Sequence, residues 1–263
     1  MNERPEVPTV ATSAGPKATR ETGIAKAAGV ISVATLLSRL LGLAREQIFA
    51  AFFGAGFAVD AFQVAFRIPN LLRDLFAEGA MSAAFVPTLT RVQEKSGREA
   101  AMRLANLVIN FLAVVVSAIC IAGFLFADKL VPLMAPGFAR VPGKLALTIQ
   151  MTQIMMPFLL LVAIAAAVMG ILNTRRIFFI PAVAPTMLNI ALIASGFLIA
   201  PFCPRFGLPP IVGMAIGVIL GGLGQLFIQV PALRGQGFRW RPAISFRDPG
   251  VVRIVTLMAP AAI

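Results

Sequence analysis

Four stretches of this chain, 104–127, 145–174, 177–204 and 206–233, contain no Asp, Glu, Lys or Arg. A helix needs about 20 predominantly apolar residues to cross the hydrocarbon of a bilayer, and each stretch is long enough to do so once. Pro and Gly occur inside them. Membrane helices tolerate both, because neighbouring helices and side chains satisfy the backbone groups that these residues free. Two further stretches, about 27–53 and 58–90, are apolar but carry charges, and a last one, 254–263, is too short to cross at 1.5 Å per residue. The expected fold is therefore all-α: a polytopic transmembrane helical bundle with six complete spans and the start of a seventh. Composition agrees, with 59% hydrophobic and only 13% charged residues, where soluble domains carry about 25% charge.

The placement of the cations orients the bundle. With the N-terminus inside, fifteen of the 23 Lys and Arg fall on inside segments, four on outside loops (Lys129, Arg140, Lys144 and Arg205), and the remaining four within the first two spans. That asymmetry follows the positive-inside rule and predicts a cytoplasmic N-terminus. The net charge of +12 is thus a topology signal, and no nucleic-acid-binding motif accompanies it. Residues 1–26 are polar and rich in Pro, Thr, Ala and Gly, with no apolar core of a signal peptide, and are expected to form a disordered cytoplasmic tail. The domain organisation expected is this tail, a transmembrane lobe over 27–233, a basic cytoplasmic connection over 234–253 with the single Trp, and the beginning of a further helix over 254–263. There is no His, and Cys120 and Cys203 form no ligand motif. They are read as packing residues, and no metal or cofactor is expected.

The charges inside the first two spans are Arg39, Arg45, Arg67 and Arg73 with Glu46, Asp60, Asp74 and Glu78. A charge at mid-bilayer costs roughly 2.5–3.5 kcal/mol on insertion scales, so these groups must be paired, hydrated or near an interface. In the first span Thr35, Ser38, Gly42, Arg45 and Phe49 share one helical face, flanked by Arg39 and Glu46. In the second, Asp60, Gln63, Arg67, Asn70, Asp74 and Glu78 form a second stripe with Arg73 beside it, and Pro69 predicts a kink or break near Asn70. Taken singly, each charge can equally be structural: Arg45 and Glu46 can reach an outer surface, and Arg73 can pair with Asp74 or Glu78. Taken together, two polar stripes on consecutive helices point to a shared hydrated cavity. Arginines without His or Cys suit a phosphate or pyrophosphate, which a guanidinium grips with two hydrogen bonds. Nearby acids can orient an arginine or take up a cation or proton.

Several runs in this sequence resemble one family: SRLLGLARE (38–46), FGAGFAVDAF (53–62), AFRIPNLLRDLFAEGAMSAAFVP (65–87), APGFA (135–139) and PAVAPTMLN (181–189). They are similar to the MurJ (MviN) lipid II flippases of the multidrug/oligosaccharidyl-lipid/polysaccharide exporter superfamily, over about 27–263. The resemblance implies a two-lobe transporter of fourteen helices, of which this chain is the N-terminal lobe. It implies a role in peptidoglycan synthesis: moving undecaprenyl-pyrophosphate-linked MurNAc-pentapeptide-GlcNAc (lipid II) across the bacterial inner membrane by alternating access. The family's cavity arginines match Arg39, Arg45 and Arg73, its cavity aspartate matches Asp60, and its acidic switch residue matches Glu78. Ser38, Gly42 and Asn70 match further motif positions. The expectation is that Arg39, Arg45 and Arg73, with Ser38 and Asn70, hold the pyrophosphate, while Asp60, Glu78 and Glu46 orient arginines or exchange partners between states. The partners implied are lipid II, membrane lipids and a C-terminal lobe not contained in this chain. The coupling ion or membrane potential that drives the cycle is left unassigned, and no covalent chemistry is expected. Two rivals remain at this stage: a cation-coupled exporter of the same superfamily, using Asp60 and Glu78 as coupling acids, and a truncated product that does not transport.

Overall fold

The computed structural model describes residues 17–74, 84–245 and 247–258. Among them every regular element is a helix: α1 (Lys17–Phe53), α2 (Phe57–Arg73), α3 (Val86–Leu125), α4 (Ala127–Met134), α5 (Lys144–Met155), α6 (Pro157–Thr174), α7 (Phe179–Val183), α8 (Thr186–Leu198), α9 (Val212–Gly235) and α10 (Pro249–Met258). Short 3-10 turns occupy Pro136–Arg140 and Ala200–Phe206. Four helical stretches of the described chain are long and apolar enough to cross a membrane: Val86–Leu125, Lys144–Thr174, Phe179–Leu198 and Val212–Gly235. These carry the four uncharged runs.

The boundaries differ from the sequence expectation where charge and secondary structure part company. Helix α1 begins at Lys17, inside the stretch read as tail, where KATRETGIAK supplies good helix formers with no proline beyond Pro16. The expected span 58–90 is not one described helix. Helix α2 ends at Arg73, residues 75–83 lie outside the described chain, and residues 86–90 belong to α3. Helix α2 also runs on through the buried Pro69 to Arg73, so no break falls at Asn70. The basic residues between Arg91 and Arg103 are helical on both sides of Gly97, whose φ of 84° and ψ of 178° interrupt α3. That conformation is essentially restricted to glycine. The run 145–174 is divided between α5 and α6 at Pro157, which lacks the N–H needed to continue the ladder. Helix α9 starts only at Val212, after Pro209 and Pro210.

Helix α6 lies at the centre of the lobe. Phe158, Leu159, Ala163, Ala167, Ile171 and Leu172 are almost fully buried. The small glycines of α9 let α8 and its following turn approach to backbone contact. A Cβ added at Gly221 would lie 2.8 Å from the Leu188 Cα, and one at Gly213 would lie 2.6 Å from the Ala200 Cα. Because main chain cannot yield as a side-chain tip can, Gly221→Val is expected to destabilise the lobe by about 1–3 kcal/mol. Gly235→Ala, where a new Cβ meets nothing within 4 Å, serves as the control. Thermal unfolding in detergent should separate the two, and equal melting temperatures would refute the close packing of α8 on α9.

Candidate functional site: a cationic cavity between α1, α2 and α8

The two polar stripes meet. A cavity of about 250 Å³ opens between them, with Leu192 of α8 forming part of its wall. From α1 it receives Arg45, Glu46 and Phe49; from α2 it receives Gln63, Arg67 and Asn70, set between Phe62 and Phe66. The spacing explains the α2 contribution directly, since Gln63, Arg67 and Asn70 follow at i, i+4 and i+7 and so face one way. The phenylalanines form its apolar floor: Phe49 and Phe62 lie 5.0 Å apart between ring centroids, and Phe62 stacks on Phe66 at 6.0 Å.

Arg45 is the best-anchored cation of the cavity. Its side chain is only 26% exposed. One terminal nitrogen, Nη1, donates to Asn189 Oδ1 of α8 at 3.2 Å, and the other donates to the carboxylate of Glu46. Asn189 in turn donates from Nδ2 to the Ser38 carbonyl at 3.1 Å. A Cβ at Gly42 would lie 3.9 Å from that same amide nitrogen. The small face Ser38–Gly42–Arg45 of α1 is therefore where α8 docks, and Asn189 fixes the guanidinium by its far side. Arg67 is exposed, and among the described residues it has no carboxylate within salt-bridge distance. It brings a second positive charge to the same space.

The other candidates are placed differently. Ser38 takes part through its carbonyl rather than its hydroxyl. Arg39 is exposed and does not line this cavity. Arg73 also lies outside the lining, with Nη2 and Nε donating to one oxygen of Asp74 at 2.7 and 3.1 Å. Glu78 falls outside the described residues. Asp60, in the first turn of α2, pairs with a lysine rather than with an arginine of the set: Lys144 Nζ donates to Asp60 Oδ2 at 2.8 Å. The Lys144 side chain is 11% exposed while that of Asp60 is 52% exposed. The ammonium also sits 4.3 Å from the ring centre of Phe138 and 6.0 Å from that of Phe57.

A family model described as "Lipid II flippase MurJ" matches residues 49–263. The chain belongs to this family. It is 38% identical over 235 residues to the lipid II flippase MurJ of Burkholderia cenocepacia, covering 88% of this chain and 45% of that protein. It is 38% identical over 245 residues to a probable lipid II flippase MurJ of Rhizobium meliloti, covering 91% and 45%. Among solved structures, a lipid II flippase MurJ in an inward closed conformation superposes with a TM-score of 0.69 at 28% identity, covering 88% of this chain and 46% of that one. The chain thus spans about half the length of the curated MurJ relatives it matches.

Four residues of this MurJ-family chain were not among the sequence-derived site residues. Arg67 and Gln63 lay on the α2 stripe and were legible there by periodicity alone. Asn189 lay in a family-like run without an assigned role, and its signal was an amide in an otherwise uncharged span, where an unpaired polar group is costly. Lys144 stood in an expected outside loop, and nothing local connects it to Asp60, 84 residues earlier.

Proposed function

We propose that this chain forms the N-terminal lobe of a lipid II flippase in the bacterial inner membrane, with its N-terminus in the cytoplasm, residues 27–233 as the lobe and 234–253 as the basic connection toward a second lobe. The observation that carries this reading is the cavity between α1 and α2, where the guanidinium groups of Arg45 and Arg67 converge with the Gln63 and Asn70 amides in a chain of the MurJ family. Two guanidiniums and two amides face a single carboxylate, Glu46, which is paired with Arg45; the lining keeps a net positive charge and spare N–H donors, which suits the oxygens of a diphosphate. The volume of about 250 Å³ falls below the roughly 300–1,000 Å³ of pockets that enclose a drug-sized ligand. Such a cavity suits the charged junction of a lipid-linked saccharide, whose sugar and lipid parts extend beyond these three helices. The relatives' remaining length would supply the facing lobe, and rocking of the two around this site gives alternating access. The process moves an amphiphile between leaflets and involves no covalent step.

A cation-coupled exporter of lipophilic cations is disfavoured by the same charges, which repel such a substrate. Reconstituted protein is expected to bind a fluorescent polyprenyl diphosphate saccharide and to ignore a lipophilic cation such as tetraphenylphosphonium as competitor, while inorganic pyrophosphate competes. Displacement by the cation and not by pyrophosphate would reverse the assignment.

A further inference from the structure

A second and larger cavity, about 850 Å³, lies on other helices. Its walls are apolar: Ile109 and Ala113 of α3, Ile164 and Val168 of α6, and Leu226 and Val230 of α9. Its rim is polar and cationic, formed by Arg234, Arg239, Trp240 and Asn110.

The rim is held in place by the chain that leaves α9. Gly237, with φ of 71°, ends the helix: its N–H donates to the Arg234 carbonyl at 2.8 Å, and Phe238 N–H reaches the Leu233 carbonyl at 3.4 Å. The following residues lie along α3, tied by two buried asparagines. Asn106 donates to the Arg239 carbonyl at 3.1 Å and accepts from Arg241 N–H at 2.8 Å. Asn110 donates to the carbonyls of Arg241 at 2.7 Å and Ala243 at 2.9 Å, and accepts from the Trp240 indole N–H at 3.0 Å. These bonds hold the indole at the mouth of the cavity, where it remains 63% exposed.

Among the described residues no acid pairs with this rim: neither Arg234, Arg239 nor the adjacent Arg98, which donates to the Gln236 carbonyl, has a carboxylate within salt-bridge distance. The guanidinium of Arg175, at the end of α6, is pushed below its usual range by burial and by the charge of Arg98.

We propose that this cavity is a binding site for a membrane phospholipid with an anionic headgroup, its acyl chain between α3, α6 and α9 and its phosphate at Arg234 and Arg239. A soluble anion has no use for the apolar walls, and an uncharged apolar ligand leaves the arginines at the rim without a partner. An amphiphile with a negative head satisfies both, and the indole lies at the depth where an aromatic belt meets headgroups. The site shares no lining residue with the α1–α2 cavity.

Trp240 is the only Trp and the chain has no Tyr, so indole emission reports on this site alone. The chain is placed in nanodiscs of phosphatidylcholine into which mid-chain-dibrominated phosphatidylglycerol, or dibrominated phosphatidylcholine, is titrated. The expected result is saturable quenching by the brominated phosphatidylglycerol at a few mole per cent, with the brominated phosphatidylcholine quenching only in proportion to its abundance. Replacing both arginines (Arg234→Gln with Arg239→Gln) should raise the half-point at least roughly fivefold, given the strength of a single basic contact at an anionic surface. Arg205→Gln, in the turn after α8, should not move it. Equal quenching by the two lipids would mean a merely interfacial indole, and absence of quenching by either would mean that protein covers the cavity; both overturn the proposal. The comparison of lipids needs no variant, so it decides even if the doubly substituted chain fails to fold.

Discussion

Arg45→Ala is expected to lower the affinity for a diphosphate-bearing lipid at least tenfold and to stop delivery of lipid-linked precursor to the outer leaflet, at unchanged abundance of the protein. A charge-assisted hydrogen bond is worth about 1.5–3 kcal/mol, and about 1.4 kcal/mol corresponds to a factor of ten. Arg45 is the cation that the lobe positions most firmly, between Asn189 Oδ1 and Glu46. Its loss removes the ligand contact and also the group that aligns α8 with the Ser38–Arg45 face. Arg45→Lys keeps the charge but not the planar fork, so an intermediate, severalfold loss is expected. Arg39→Ala provides the sharper comparison. The family resemblance gives Arg39 the same task, yet its side chain is exposed and outside the 250 Å³ cavity, so it should weaken binding less than Arg45→Ala does. The measurement is titration of nanodisc-embedded protein with the fluorescent lipid, paired with an outer-leaflet delivery assay in cells carrying each chromosomal variant. Normal binding by Arg45→Ala at normal abundance would remove the clamp from the mechanism.

Local periodicity accounts for what the sequence revealed. Gln63, Arg67 and Asn70 recur at helical spacing, and Ser38, Gly42 and Arg45 do the same on α1, so both faces could be drawn before any fold was known. That the faces would enclose a cavity followed from the cost of leaving charges in lipid. The uncharged runs likewise found the four long apolar helical stretches. Charge is a poor ruler for helix ends, however. Arg91, Lys95 and Arg98 read as a connection and sit in α3, because lysine and arginine are good helix formers wherever solvent reaches them. Pro157 divides an unbroken apolar run, and the Pro209–Pro210 pair delays α9. Contacts between distant segments carried no local mark. Asn189 reaches Arg45 across 144 residues and Lys144 reaches Asp60 across 84; only the packing of α8 on α1 and of α5 on α2 creates them. Asn106 and Asn110 stand four residues apart on one side of α3, and their partners are carbonyls of the extended segment after α9, more than 130 residues away.

The Asp60–Lys144 pair should respond asymmetrically to substitution. Lys144 is the buried partner, with a side chain 11% exposed against 52% for Asp60. Asp60→Asn leaves an ammonium enclosed between Phe138 and Phe57 without its carboxylate, and removing one partner of a buried pair exacts the desolvation cost of the other. A loss of about 1–3 kcal/mol is expected, softened by the cation–π contact that survives. Lys144→Met leaves Asp60 free to rehydrate and fills the space between the rings with a flexible apolar chain, so the cost should stay below about 1 kcal/mol. The combination Asp60→Asn with Lys144→Met should then be more stable than Asp60→Asn alone, because no buried charge remains. Thermal unfolding of the four proteins in one detergent forms the double-mutant cycle. If Lys144→Met proves the more damaging single change, the ammonium is not the enclosed partner. Transport adds a second reading: should the double variant recover stability but not delivery, Asp60 has a task in the cycle beyond tethering α2 to α5, which is the role its family resemblance implies.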